Sequence, residues 1–145
     1  MDWLWNLNFK KAFIIYIIID LICLGPLGMC VPFFSILLGF PVGWYVAKRL
    51  YSPDLTAKLL LNKIFKYALI TSGFTFVMMI IAWGRLIPMF WGPTADMAHF
   101  GIPTILYDPV ASFVGWIILM IFISPFLQFL TTVFAANLTV IRSDK

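Results

Sequence analysis

The feature that most constrains this chain is a long apolar stretch near its N-terminus that contains one charged residue. Residues 12–47, between Lys11 and Lys48, carry Asp20 as their only charge. As a single helix this stretch would be roughly 54 Å long at 1.5 Å per residue, whereas the hydrocarbon core of a bilayer is ~30 Å thick. We therefore expect it to cross a membrane twice and to turn at the sequence GPLG, residues 25–28, because glycine and proline interrupt helices.

The composition indicates that lipid is the main solvent of this chain. Hydrophobic residues make up 63% of its 145 residues and charged residues 11%, whereas about 25% of the residues in an ordinary soluble domain are charged. The net charge of +4 comes from basic residues at the ends of apolar segments, which is not the pattern of a nucleic-acid-binding patch. We expect an integral protein of the cell membrane (inner or plasma), surrounded by the lipid bilayer and without a nucleic-acid partner.

Four apolar segments predict an all-α fold and a single transmembrane domain over residues 1–145. The expected helices cover residues 9–24, 29–47, 67–83 and 110–141. Before the third of these, Ser52, Pro53 and Asp54 favour the start of a helix that lies along the membrane surface and leads into the third span, because serine caps a helix and proline suits its first turn. The fourth helix is expected to kink at Ser124-Pro125.

The basic residues support an even number of crossings. If the N-terminus is cytoplasmic, nine of the ten Lys and Arg residues fall on the cytoplasmic side, and only Arg85 falls on the other. We therefore expect an integral membrane four-helix bundle of two helical hairpins with both termini in the cytoplasm. The basic inner connector carries Lys58, Lys63 and Lys66, which we expect to contact anionic lipid headgroups.

Short matches relate the two hairpins, residues 9–49 and 65–142. The first helix opens with FKKAFI and the third with FKYALI. In addition, a Pro-Phe pair precedes an arginine by the same interval in the second and the fourth helix, an alignment that pairs Ser35 with Gln128 and Gly39 with Thr132. One interpretation is a tandem duplication, which would give two parallel hairpins related by an axis along the membrane normal. The other is chance similarity between apolar helices that draw on few residue types.

The segment between the third and fourth expected helices, residues 84–109, contains four prolines and three glycines. It is too irregular for a spanning helix and too apolar for a free loop, so we expect it to lie on the outer membrane surface. It supplies the candidate surface for an outer ligand, with the residues Arg85, Trp91, Asp96, His99 and Asp108. Because His99 is the only histidine, we expect no metal site and no haem or other cofactor.

Small residues predict where helices pack together. Within lipid, helices associate through small side chains and interhelical hydrogen bonds. Candidate packing residues follow this spacing on the second and fourth helices: Ser35, Gly39, Gly43, Ala47, Thr132 and Ala136. This small-residue seam is also compatible with packing against a partner protein.

Asp20 is the main candidate for a functional group. A charged Asp at the centre of a spanning helix costs roughly 2.5–3.5 kcal/mol, so we expect its carboxyl group to be neutral or to bond to Tyr16, Thr75 or Gln128, which lie at similar depth. Two interpretations follow. Asp20 is either a hydrogen-bond latch between helices or a proton or cation site that lines a pathway.

Three hypotheses for function are compatible with the sequence. No hydrolase elbow, Walker loop, HExxH or paired-carboxylate motif occurs, so an enzyme is not the leading expectation. The leading hypothesis is a non-catalytic helical subunit or accessory protein, in a homo-oligomer or a larger membrane complex. The second is a homo-oligomeric small-solute or ion transporter, proton-coupled, with Asp20 as the titrating site. The third is a membrane thiol or quinone redox enzyme that uses Cys23 and Cys30, which flank the expected outer turn.

Overall fold

The structure, a computed structural model, describes residues 8–27, 32–52, 56–91 and 109–143. It contains α1 (Phe9–Leu24), α2 (Phe33–Leu50), α3 (Ala57–Trp83), α4 (Pro109–Ile118) and α5 (Ser124–Ser143). A 3-10 helix, Gly84–Trp91, extends α3, and a π-helical turn, Leu119–Ile123, joins α4 directly to α5. Within the described residues there is no strand, and with α4, the π turn and α5 counted together there are four helices. The all-α class and the number of helices are thus confirmed.

Helix α3 includes both the connector and the expected third span. The surface helix expected from Ser52 and the span expected from residue 67 form one continuous helix that begins at Ala57. The reason is that buried positions recur at helical spacing through the basic connector, with Leu60, Ile64 and Ala68 on one face. At 27 residues, or roughly 40 Å, α3 is longer than the hydrocarbon core.

Helix α2 begins and ends a few residues later than expected. It starts at Phe33 rather than residue 29, with Pro32 at the capping position, and it ends at Leu50 rather than residue 47. Residues 28–31, where the expected turn meets α2, lie outside the described residues. Pro41 lies within α2 without ending it, although a proline nitrogen cannot donate the usual helical hydrogen bond.

Just before Ser124-Pro125, where a kink is expected, the structure has the π-helical turn. Pro125 has no N–H with which to continue the helical ladder. Just before it, the backbone N–H of Ser124 donates to the carbonyl of Leu119, five residues earlier, and its hydroxyl donates to the same carbonyl at 2.8 Å. A π turn of this kind adds one residue to a helical turn, so the chain passes through the proline without breaking.

Contacts between helices define their relative directions. The ring of Phe9 at the start of α1 stacks on Tyr67, ten residues into α3, with centroids 4.8 Å apart. The guanidinium carbon of Arg49, at the end of α2, lies 6.0 Å from the Phe9 ring centre, so α1 and α2 are antiparallel. Lys48 and Arg142 line one cleft, so α2 and α5 end together. The starts of α1 and α3 and the ends of α2 and α5 therefore share one end of the molecule, which we call the basic end.

Among the described residues, the interior contains two apolar clusters with a polar layer between them. Near the basic end, the first cluster joins Val46, Ala47, Leu60, Ile64 and Ala136. Towards the opposite end, the second joins Phe113, Ile117 and Ile121. Polar side chains that are buried lie mostly between the two, among them Asp20, Ser35, Thr71, Ser72, Thr75, Gln128 and Thr132.

Among the residues that the structure describes, two helical stretches are long and apolar enough to cross a membrane. They are Ala57–Pro88 and Val110–Ser143. Helices α1 and α2, with 16 and 18 residues, are shorter than the ~20 residues of a typical span.

Candidate functional site

A chain of hydrogen bonds runs through the polar layer and ends at Asp20. The side-chain amide of Gln128 donates to the hydroxyl of Tyr16 at 2.9 Å. That hydroxyl lies 2.9 Å from both the carbonyl oxygen of Thr71 and the Oγ1 atom of Thr75. Thr75 in turn donates to Oδ2 of Asp20 at 2.9 Å. Because Thr75 has one hydroxyl proton, its donation to Asp20 leaves Tyr16 to donate to Thr75 or to the Thr71 carbonyl.

The spacing of these residues along their helices explains why they meet. Tyr16 and Asp20 are four residues apart on α1, and Thr71 and Thr75 are four apart on α3, so each pair lies on one helix face. The two faces oppose each other in the parallel α1–α3 pair, and Gln128 reaches them from α5. Asp20 and Thr75 are both 0% exposed. The chain of hydrogen bonds therefore connects three helices and ends at two side chains that are fully buried.

Three oxygen atoms in the same layer have no hydrogen-bond partner among the described residues. They are Oδ1 of Asp20, Oγ of Ser35 and Oε1 of Gln128. The Ser35 hydroxyl approaches the Asp20 carboxyl group from α2. A buried oxygen without a partner costs ~1–3 kcal/mol. The Ser35 hydroxyl can donate to Oδ1 of a charged carboxylate, and a protonated Oδ1 can donate to Ser35. The site can therefore hold a proton at the carboxyl group, and its oxygen atoms are also of the type that binds a small cation.

The predicted small-residue seam lies between α2 and α5. A Cβ atom on Gly39 would lie 2.8 Å from the backbone carbonyl of Gln128, and one on Gly43 would lie 3.0 Å from Cβ of Ala135. Across the same interface, the Thr131 hydroxyl donates to the carbonyl of Ile36 at 2.9 Å. The seam thus allows close approach of two backbones.

All six candidate packing residues are buried: Ser35, Gly39, Gly43, Ala47, Thr132 and Ala136. Because Gly39 and Gly43 are in contact with α5, they are not available to a partner protein. The seam is therefore used within the chain, and packing of the chain against a partner stays a prediction.

The structure describes only some of the outer candidates. Arg85 is exposed beyond the end of α3, and its Nε donates to the carbonyl of Ala82 at 3.1 Å. Trp91 ends the 3-10 helix, while Asp96, His99 and Asp108 lie outside the described residues. Cys23 is half-buried near the end of α1, and Cys30 also lies outside the described residues. The outer ligand surface and the thiol pair therefore stay predictions.

The sequence did not predict a groove of about 450 Å³ between α1 and α2. Apolar side chains line most of it, and the Tyr16 side chain forms part of its wall. A sequence shows which residues are apolar but not how far apart two helices stand, so no pattern signalled this space.

Comparison with known proteins gives no relative from which a function can be transferred. No protein-family model, no curated protein and no solved structure matches the chain. Among the residues that the structure describes, no group of three or more His, Cys, Asp or Glu side chains is placed to hold a metal ion.

Proposed function

We propose that this chain is a multi-pass protein of the cell membrane, folded as a four-helix bundle with both termini in the cytoplasm. Support comes from which side chains are exposed and which are buried. Large hydrophobic side chains are exposed on every long helix, for example Leu69 at 66% and Phe126 at 59%, while Asp20, Gln128 and several Thr and Ser side chains are buried. A soluble monomer rarely exposes so much contiguous apolar surface, whereas this arrangement suits lipid.

Within the membrane, we infer a non-catalytic role as a small helical subunit or accessory protein. The observation that carries this inference is the chain of hydrogen bonds that runs from Gln128 through Tyr16 and Thr75 to Asp20. Each of these side chains joins one helix to another, which makes Asp20 a structural latch. In lipid, where no hydrophobic effect holds helices together, such bonds and close packing define the bundle. A rigid bundle with an apolar exterior is suited to association with a second copy or a larger membrane complex.

Extraction with the surrounding lipid tests this proposal. The full chain is solubilised in polymer-bounded nanodiscs and its protein mass is measured by light scattering. We expect a mass above the 16.6 kDa of one chain, with a fixed ratio of copies or of one partner. The same mass is expected from Asp20→Asn, which keeps the latch. A single copy without a partner, at every concentration tested, would contradict the subunit role.

The unpartnered oxygens favour a second function, transport of protons or small cations by a homo-oligomer. Oδ1 of Asp20, Oγ of Ser35 and Oε1 of Gln128 lie in the same buried layer and come from three different helices. An ionisable residue within a membrane segment is characteristic of such pathways. Because four short helices enclose little space, more than one copy would line the path.

Flux into proteoliposomes separates the two functions. Transport predicts a proton or sodium flux that Asp20→Asn abolishes. Ser72→Ala is the matched control, because Ser72 is buried in the same bundle but bonds within its own helix, to Leu69 at 3.4 Å. No flux from the unaltered protein, or the same flux from Asp20→Asn, would exclude Asp20 as a transport site.

A further inference from the structure

The groove between α1 and α2 has the shape and depth of a site for one hydrocarbon chain. On α1 its wall extends from Phe9 to Ile19, ten residues or roughly 15 Å at 1.5 Å per residue. This is about half of the ~30 Å hydrocarbon core, which is the depth of one leaflet. The opposite wall comes from α2, from Leu38 to Val46, and Ile70 of α3 also lines the groove. Its volume of about 450 Å³ is in the range of sites that bind small molecules.

The polar groups of the groove are placed for an amphipathic ligand. Its deep part is apolar, and the one polar atom that Tyr16 brings, its hydroxyl, is already bonded to Thr75, Gln128 and the Thr71 carbonyl. The deep part therefore offers little to a polar ligand. Lys10 lines the groove at the basic end.

Positive charge is concentrated at the mouth of the groove. Arg49 lies beside the wall residue Phe9, with its guanidinium carbon 6.0 Å from the ring centre. Lys10 and Arg49 are both exposed, so their charged groups can reach a ligand at the membrane surface. Both cations would attract the anionic headgroup of a lipid at the mouth of the groove, while the hydrocarbon chain of the same lipid lay along the groove.

We propose that this groove binds one anionic phospholipid from the leaflet at the basic end. One acyl chain fills the space between α1 and α2, and the phosphate lies between Lys10 and Arg49. This site differs from the expected headgroup contacts of Lys58, Lys63 and Lys66, because it holds a single lipid by its chain as well as its charge. The inference rests on the proposed membrane location.

Native mass spectrometry of the detergent-solubilised full chain tests the proposal, with titrated phosphatidylglycerol and phosphatidylcholine as probes. We expect one phosphatidylglycerol to bind more tightly than phosphatidylcholine. Lys10→Gln with Arg49→Gln should weaken phosphatidylglycerol binding about tenfold or more and leave phosphatidylcholine binding nearly unchanged. The matched control is Lys58→Gln with Lys63→Gln, which removes the same charge from exposed positions on α3 and should change little.

A second pair of variants tests the position of the acyl chain. Ala12 lines the groove, so Ala12→Trp should abolish binding of both lipids. Ile14, which is 56% exposed on the same helix and lies outside the groove, provides the control Ile14→Trp. Circular dichroism and the melting temperature identify any variant that does not fold, and the exposed charge variants provide a test if Ala12→Trp fails.

Several results would overturn the proposal. The first is that the protein retains no lipid, and the second is that it binds the two lipids equally well. The third is that the Lys58/Lys63 control loses as much phosphatidylglycerol binding as the Lys10/Arg49 variant. The fourth is a lipid-free dimer whose second copy fills the groove. Alkaline extraction of membranes separates this failure from failure of the proposed function. A chain released by alkali would contradict the membrane location, whereas a chain that stays in the membrane without binding the lipid would contradict this inference alone.

Discussion

The hydroxyl of Thr75 donates a hydrogen bond of 2.9 Å to Oδ2 of Asp20 across the interface between α3 and α1. Both side chains are fully buried, so the one acidic residue in the first apolar stretch faces other helices and not lipid. A carboxyl group pointing to hydrocarbon would cost roughly 2.5–3.5 kcal/mol. The bond from Thr75, supported by Tyr16 and Gln128, avoids that cost and converts Asp20 into a contact between helices.

If Asp20 is a latch, its shape and acceptor matter more than its charge. Asp20→Asn keeps an oxygen for Thr75 and adds an amide donor near the unpartnered Ser35 hydroxyl. We expect the free energy of unfolding to change by less than about 1 kcal/mol. Asp20→Leu removes the acceptor oxygen and should lower the free energy of unfolding by ~1–3 kcal/mol, because the Thr75 hydroxyl loses its partner. Unfolding in mixed detergent micelles measures both values, and an equal loss in the two variants would contradict the latch.

Tyr16 is the branching point of the hydrogen-bond chain. Tyr16→Phe removes the acceptor of Gln128 and the contacts with Thr75 and the Thr71 carbonyl, and we expect a loss of ~1–2 kcal/mol in the free energy of unfolding. A double-mutant cycle with Gln128→Leu should give a coupling energy of about 0.6–1.7 kcal/mol, the range found for hydrogen bonds within membranes.

The control for this cycle is Tyr67→Phe, at a half-buried tyrosine of α3 outside the hydrogen-bond chain. It should show no coupling to Gln128→Leu. A coupling energy near zero for the Tyr16 cycle would mean that the bond between Gln128 and Tyr16 does not stabilise the bundle.

Two glycines offer a matched test of the seam between α2 and α5. A Cβ atom at Gly43 would meet the backbone carbonyl of Thr132 and would lie 3.0 Å from the Ala136 nitrogen. Because backbone atoms of a packed helix cannot move away cheaply, Gly43→Ala should destabilise the protein by ~1–3 kcal/mol. A methyl group on Gly73 of α3 would have nothing within 4 Å, so Gly73→Ala should be neutral or stabilising by up to ~1 kcal/mol. Melting temperatures in detergent measure the change in stability of both variants. Equal effects of the two substitutions would contradict close backbone packing between α2 and α5.

Features that depend on spacing along one helix were accessible from the sequence. Gly39 and Gly43 share a face because they are four residues apart, and an isolated acid in an apolar helix has to find polar neighbours. The sequence did not show that Gln128 reaches Asp20 only through Tyr16 and Thr75. That detail depends on the distance between helices, which no single-helix pattern contains.

Features that depend on tertiary packing were not accessible. Nothing in the sequence separates a surface helix followed by a span from the one long helix that begins at Ala57, since both show helical periodicity. The groove between α1 and α2 depends in the same way on how two apolar helices diverge.

The possible duplication of the hairpin also depends on packing. Gly39 and Thr132, equivalent in the alignment of the two hairpins, contact each other across parallel helices, as a two-fold axis between α2 and α5 would require. Small residues at a crossing give the same contact, so the duplication stays a prediction.

The proposed orientation in the membrane can be tested at three positions of the chain. Lys10 and Arg142 lie at the basic end, and Arg85 follows α3 at the opposite end. In a chain with Cys23 and Cys30 replaced by serine, single cysteines at these three positions should react with a membrane-impermeant thiol reagent from different sides. The positive-inside rule predicts that Lys10→Cys and Arg142→Cys react only from the cytoplasm, and that Arg85→Cys reacts only from outside. Labelling of Lys10→Cys and Arg142→Cys from opposite sides would contradict the proposed topology. It would require an odd number of crossings, whereas the start of α1 and the end of α5 lie at the same end of the bundle.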